Sequence, residues 1–321
     1  MVSGPAAFTL VVLLPAALVL VAWGGCRQKG GSLTGSAMAG AHGNLAPVSI
    51  TPVSITPASI TPDTIRHHDR THYRFRTPSS TFLLDSASGG LSSMIDADGG
   101  DWIAYRPTPW DAYPASAASS YRGVPNLVFR GAFGGAGHPG HDRARTRVTS
   151  DSTAEAETPG GPWRWTWTFR DASATLDVTG VSDTAAYWFL YEGPAGGTYR
   201  PRETYMASDR SAPAYLQLDH YAGQAEVSRR RWYYFGSDAT PRVLYIRQHA
   251  ADTLPDHYSL LGDDTTGIRS PDGMVVAGFG RAPGARPVLR SPHRFTIGFV
   301  EGEGASAAAY AEIASRLRAN R

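Results

Sequence analysis

Short apolar alternations separated by turn residues dominate the chain from Tyr73 onward. Residues 80–85 and 91–95 read as strands. Asp96-Ala97-Asp98-Gly99-Gly100 reads as a tight turn leading into a second apolar run at 102–105, which predicts a hairpin. Trp163, Trp165, Trp167 and Phe169 alternate with Arg164, Thr166, Thr168 and Arg170, a period of two with one wholly aromatic face. That face reads as core, with a sugar-stacking platform as the alternative. Residues 174–181, 186–191, 275–279 and 295–300 continue the pattern. Only residues 305–317 carry a helical stripe, formed by Tyr310, Ile313 and Leu317. Strands without intervening helices predict an all-β fold, a large antiparallel β-sandwich with a short C-terminal helix.

The N-terminal part breaks this pattern. Residues 6–22 are apolar except for Thr9, shorter than the roughly 20 residues of a spanning helix. They suit the apolar region of a signal peptide. Gly24-Gly25-Cys26 then resembles a bacterial lipoprotein signal, which implies lipidation at Cys26. An uncleaved anchor and an ordinary secretory signal are the alternatives, and all three predict export or attachment to a membrane. Residues 30–44 are rich in Gly, Ala and Ser, and a pentapeptide repeat beginning Pro47-Val48-Ser49-Ile50-Thr51 follows. A proline at every fifth position opposes helix and central strand, so an extended spacer is expected. The chain therefore divides into a targeting segment (1–26), a linker (27–66) and a β-sandwich domain (67–321).

Composition narrows the functional classes. The 321 residues carry a formal net charge of +2, too little for a field that favours nucleic acid. A single cysteine excludes an intrachain disulfide and a cysteine-based metal cluster. Gly-x-Ser-x-Gly, His-Glu-x-x-His and both standard phosphate-binding glycine patterns are absent from the sequence.

The stretch that begins Ser88-Gly89-Gly90-Leu91, turns at Asp96 to Gly100 and ends Trp102-Ile103-Ala104-Tyr105 resembles the opening hairpin of galactose-mutarotase-like supersandwich domains. Aldose epimerases and domains of several polysaccharide lyases share that fold. The resemblance implies a supersandwich acting on carbohydrate and carries over no catalytic residue. A jelly-roll sandwich is the alternative fold.

The chemistry-bearing residues fall into clusters. Arg229 to Phe235 and Arg242 to His249 predict a hairpin in which Phe235 pairs with Arg242. Phe235, Tyr233, Leu244 and Ile246 then face the core, and Arg230, Trp232, Tyr234, Tyr245, Arg247 and His249 face outward. Guanidinium forks grip carboxylates, aromatic faces pack on sugar C–H groups, and Tyr or His moves protons. Tyr234, His249, Arg247 and Arg230 are accordingly the expected catalytic set, with Trp232 and Tyr245 as substrate contacts. An ordinary exposed strand face, or a face that binds without catalysing, is the competing reading.

A second cluster holds Glu192, Tyr199, Arg200, Arg202, Glu203 and Tyr205; Arg202, Glu203 and Tyr205 are further substrate-contact candidates. His249, Asp252, Asp256 and His257 form a third, and His138 with His141 a fourth. Their spacings match no strong metal motif, so no metal or cofactor is expected. Asp96 to Asp101 lacks the later glutamate of a calcium loop and reads as a turn. The expected partners are a polysaccharide or oligosaccharide, and a membrane through the N-terminus. The expected activity is β-elimination on an acidic glycan. A glycan-binding surface lipoprotein without catalysis and an envelope structural protein are the alternatives.

Overall fold

The computed structural model describes residues 60–106, 122–216, 221–226, 229–261 and 273–319. Residues 1–26, expected to be a targeting segment with Cys26, and nearly all of residues 27–66, expected to be a linker, lie outside them. Among the described residues no helix is long and apolar enough to cross a membrane.

The described residues begin with four strands, β1 (Thr61–His67), β2 (Arg70–Arg76), β3 (Thr81–Asp85) and β4 (Leu91–Ile95), paired in that order. The last repeat unit, Pro62 to Ile65, lies within β1, in the stretch expected to be linker. Pro62 is tolerated there because β1 is an edge strand with a partner on one side only. Arg74 Nε donates to Asp63 across this pair at 2.8 Å.

Strands β5 (Arg145–Ser150), β6 (Thr153–Glu157), β7 (Arg164–Arg170) and β8 (Ser173–Gly180) follow, then β9 (Phe189–Gly193), β10 (Thr204–Ser208), β11 (Ser211–Tyr215) and β12 (Tyr221–Glu226). After β13 (Trp232–Ser237), β14 (Arg242–Gln248), β15 (His257–Leu261) and β16 (Met274–Phe279) come the short ribbon β17 (Arg281–Ala282) and β18 (Arg286–Pro287), then β19 (His293–Glu301) and helix α1 (Ala307–Ala319). One nine-stranded sheet has the order β11-β10-β13-β14-β19-β8-β7-β6-β5, and a second four-stranded sheet the order β12-β15-β16-β9. All pairings are antiparallel, and this strand count exceeds that of an eight-stranded jelly roll.

One apolar core joins the layers. Phe75, Phe82 and Leu84 of the first sheet, Trp165, Trp167 and Phe169 of the nine-stranded sheet, and Phe189, Tyr191 and Val275 of the third share it. The alternating tryptophans are thus core and not a sugar platform. Both Trp165 and Trp167 donate Nε1–H to the Gly89 carbonyl at 2.9 Å, which satisfies their polar edge inside the core.

Residues 124–127 stitch the two four-stranded sheets together. Val124 exchanges backbone hydrogen bonds with Leu91 of β4, while Pro125 accepts from Leu190 of β9 and Leu127 from Trp188 just before it. Asn126 lies on this seam.

Two local expectations are corrected. Residues 102–105 do not form a strand: Ala104 has φ 50°, and the Asp101 carboxylate accepts from the backbone of Met94, Ile103 and Ala104, although Trp102 N and Tyr105 N still donate to the Met94 and Ser92 carbonyls. The β13–β14 hairpin pairs Phe235 with Leu244 and Tyr234 with Tyr245, a register two residues from that expected. A shift of two keeps every side chain on its face, so Tyr233, Phe235, Leu244 and Ile246 still enter the core. The Asp96 turn forms as expected. Its carboxylate accepts from Asp98 N, Gly100 N and Trp102 Nε1 and pairs with Arg242 at 3.0 Å.

A candidate acid–base centre on the seam between sheets

On the aromatic face of β13 and β14, α1 covers Trp232, Tyr234, Tyr205 and Tyr245 with Ile313, Ala314 and Leu317. Ser306 caps the helix by accepting from Ala309 N, and Tyr310 donates to the Ser208 carbonyl. Tyr234 is fully buried and donates to the Gly304 carbonyl at 2.7 Å. Burial raises its pKa well above the ordinary phenol value. Tyr234, Trp232 and Tyr205 are therefore packing residues, because an apolar helix completes the face that the alternation left unpartnered.

The other expected residues divide. Arg247, His249 and Tyr245 line a groove beside α1. Arg230 precedes β13 and does not line it. Arg202 is exposed, and Glu203 pairs with Arg200 at 3.2 Å on the surface. The expected catalytic set is not brought together.

The structure assembles a different centre, from residues that the sequence had left in separate clusters. Glu192 lies on β9 on the same face as Trp188 and Leu190, opposite Tyr191 and the sandwich core. It is fully buried. One carboxylate oxygen accepts from Asn126 Nδ2, and the other meets His138 Nε2 at 3.1 Å. Asn126 has φ 46°, a left-handed conformation that Asn tolerates better than most residues, and this turns it from the seam toward Glu192. The Pro139 carbonyl lies 2.9 Å from His138 Nδ1 and can only accept, so Nδ1 carries a hydrogen. Nε2 and Glu192 then share one proton, as imidazolium–carboxylate or imidazole–carboxylic acid.

The loop bearing His138 is anchored from β3. Buried Asp85 accepts from Gly140 N and from Arg70 Nε, while Arg70 also reaches Asp142 at 2.6 Å. His141 packs edge-on to His138 with ring centroids 5.4 Å apart. Burial first, then the charges of His138 and Arg143, push its pKa down to about 4, so it is a neutral hydrogen-bonding group at physiological pH. Gly135 makes room for that ring: at φ 90°, a Cβ there would lie 2.5 Å from it.

Arg281 completes the centre. Its side chain donates to Ser259 Oγ at 2.9 Å and is 5% exposed. Burial pushes its pKa down to about 10, partly offset by the charge of Glu192, and it stays charged at neutral pH. Its Nε–H has no acceptor among the described residues, and neither does Trp188 Nε1–H on the Glu192 face. Asp256 holds the turn before Arg281 by accepting from Gly280 N at 2.7 Å. Among the described residues no group of three metal-ligating side chains converges.

Glu192, His138, His141 and Asp256 stand out in the sequence by residue type, although in separate clusters. Asn126, Ser259 and Arg281 do not, and Gly280 before Arg281 is the only local signal. The resulting centre combines a shared-proton pair with a buried cation that has an uncommitted donor. Such a set can transfer protons and bind negative charge.

No family model matches the chain, and no curated protein matches it in sequence. Solved structures do. HI1317 aligns at 12% identity over 77% of this chain and 97% of its own, with a TM-score of 0.49. A galactose mutarotase-like protein from Lactobacillus casei aligns at 11% identity over 75% and 100%, with a TM-score of 0.46. A Paenibacillus xanthan lyase aligns at 8% identity over 84% of this chain and 27% of the lyase, with a TM-score of 0.42. The chain is weakly similar in fold to galactose-mutarotase-like proteins.

Proposed function

We propose that the protein is an exported carbohydrate-active enzyme that cleaves an acidic glycan by β-elimination at the Glu192–His138–Arg281 centre. The observation that carries this reading is a buried guanidinium with an uncommitted Nε–H, held by Ser259 in the same transverse row of the sheet as Glu192, whose carboxylate meets the His138 imidazole. Elimination beside a carboxylate needs a cation for the negative charge that builds there, a base for the neighbouring C–H and an acid for the leaving oxygen. Arg281 is the cation. Glu192, whose oxygens keep further lone pairs, takes the proton. The carbon–carbon double bond forms, the C–O bond breaks with its electron pair passing to oxygen, and His138 protonates that oxygen. The proton on Glu192 then returns to His138 across their 3.1 Å contact, which resets the pair. The apolar N-terminal stretch, Cys26 and the proline-repeat spacer support display at the cell envelope.

The test is ultraviolet absorbance of the unsaturated product during incubation with a panel of uronate-containing polysaccharides. Wild type is expected to produce it. Glu192→Gln and Arg281→Met are expected to lower the rate by about 10²–10⁴ while remaining folded by thermal melting. No product on any uronate glycan, with the glycan retained, would replace the enzyme by a binding module.

A further inference from the structure

The outer face of the nine-stranded sheet is only partly covered by α1. Beyond the helix, β14, β19, β8 and β7 leave a groove of about 510 Å³. The observed register organises it into transverse rows. Arg247, Thr296, Thr175 and Thr168 stand opposite one another on four successive strands. At about 4.8 Å per strand this row crosses about 14 Å. Arg294 and Asp177 pair in the next row, with His249 beside them, and Ser173 and Arg170 pair in the row on the other side. Gly298 sits between Tyr245 and Ser173, where a Cβ would lie 2.8 Å from both side chains, so the floor of that row is bare backbone flanked by a phenol and a hydroxyl.

The chemistry of the rows is one-sided. Three guanidiniums face one carboxylate. Asp177 is already paired with Arg294. The Arg170 side chain is exposed and makes no polar contact with any described residue. Arg247 donates to the Leu317 carbonyl at the C-terminal end of α1, which fixes its position beside the groove. Between the cations runs a hydroxyl chain: His249 Nε2 lies 2.9 Å from Thr296 Oγ1, which lies 3.0 Å from Thr175 Oγ1. Hydroxyls that both donate and accept, set between planar cation forks, suit a polyhydroxylated chain bearing anionic groups. No aromatic face lies open in the groove for stacking nucleobases, which opposes a nucleic-acid strand.

We infer that this groove, on a different sheet from the Glu192–His138–Arg281 centre, binds an anionic polysaccharide as a non-catalytic anchoring site. Its ligand carries carboxylate or sulfate groups along a hydroxyl-rich chain, and its determinants are Arg170, Arg294 and the threonine row.

The test compares retention of the full chain on immobilised polygalacturonate, a sulfated glycan, a neutral glucan and inorganic polyphosphate. Retention on either anionic glycan and not on the glucan is expected, and which of the two is stronger identifies the anionic group. Arg170→Ala combined with Arg294→Ala should weaken this retention at least tenfold, with an unchanged melting temperature and unchanged turnover of short soluble uronate oligosaccharides. Glu192→Gln should leave the retention intact, so failure of the catalytic reading and failure of the groove are read separately. Equal retention on polyphosphate would reduce the groove to a general anion patch. Retention that is indifferent to the double substitution, or equal on the neutral glucan, would remove it as a glycan site.

Discussion

At the scale of single residues, Arg281 is held where a cation is expensive. Burial lowers its pKa to about 10, and one of its donors goes unanswered. Replacing a whole buried charge pair by apolar side chains is often neutral, but removing one partner leaves the other uncompensated. Arg281→Met takes away the positive charge that acts on buried Glu192 and gives up the bonds to Ser259 Oγ and the His257 carbonyl, so it should cost about 3–5 kcal/mol. The urea midpoint checks this, and a change under about 1 kcal/mol would mean that the guanidinium and Glu192 do not compensate each other. Asn126 makes the complementary case. Asn126→Ala removes one of the two hydrogen bonds to a fully buried carboxylate and places alanine at φ 46°. It should cost about 2–4 kcal/mol, visible in the same titration. Neither residue was legible in the sequence. Their importance comes from the seam at residues 124–127 and from the turn held by Asp256, both long-range features that local pattern does not encode.

At the scale of elements, periodicity transmitted more than residue type did. The alternation in β7 assigned Trp165, Trp167 and Phe169 to one face, and the helical stripe picked out Ile313 and Leu317. The β13–β14 hairpin kept its faces through a two-residue error of register because the side-chain period is two. What alternation did not reveal is the partner of the second face. An aromatic strand face looks the same in sequence whether a sugar or a helix covers it, and here α1 covers it. Two substitutions separate these roles. Tyr234→Phe leaves the Gly304 carbonyl without its buried donor and should cost about 1 kcal/mol, with glycan turnover unchanged. Leu317→Ala should cost about 2–4 kcal/mol by opening a cavity against that aromatic face. Turnover lost in Tyr234→Phe at full stability would return Tyr234 to the catalytic role that its sequence position suggested.

At the scale of the whole molecule, the first sheet and the loop tied to it carry histidines that burial keeps neutral. His67 and His72 lie at the β1–β2 turn with ring centroids 5.3 Å apart, and His141 sits on the loop that Asp85 and Arg70 tie to β3. Burial is the largest cause of a lowered pKa in all three, and His141 falls to about 4. The groups facing them have mixed signs: Asp85, Asp101 and Asp142 favour the charged imidazole, while Arg70 and Arg143 oppose it. A histidine with a lowered folded-state pKa binds its proton first in the unfolded chain. Between about pH 6.5 and pH 4 the unfolded state therefore holds more protons, and stability rises with pH across that window. Asp63 and Asp96 act in the same sense further down. Arg74 holds Asp63 below its ordinary value; burial opposes the shift of Asp96, but Trp102 and Arg242 hold it low, so both lose stabilisation as they are protonated. Urea midpoints should accordingly fall continuously from pH 7 to pH 4. His141→Asn should flatten the upper part of that decline, because it removes the largest imidazole shift while keeping a polar side chain beside His138. A midpoint independent of pH between 7 and 4.5, or a decline that the His141→Asn variant reproduces in full, would place the titrating groups elsewhere and leave these histidines without this role in acid stability.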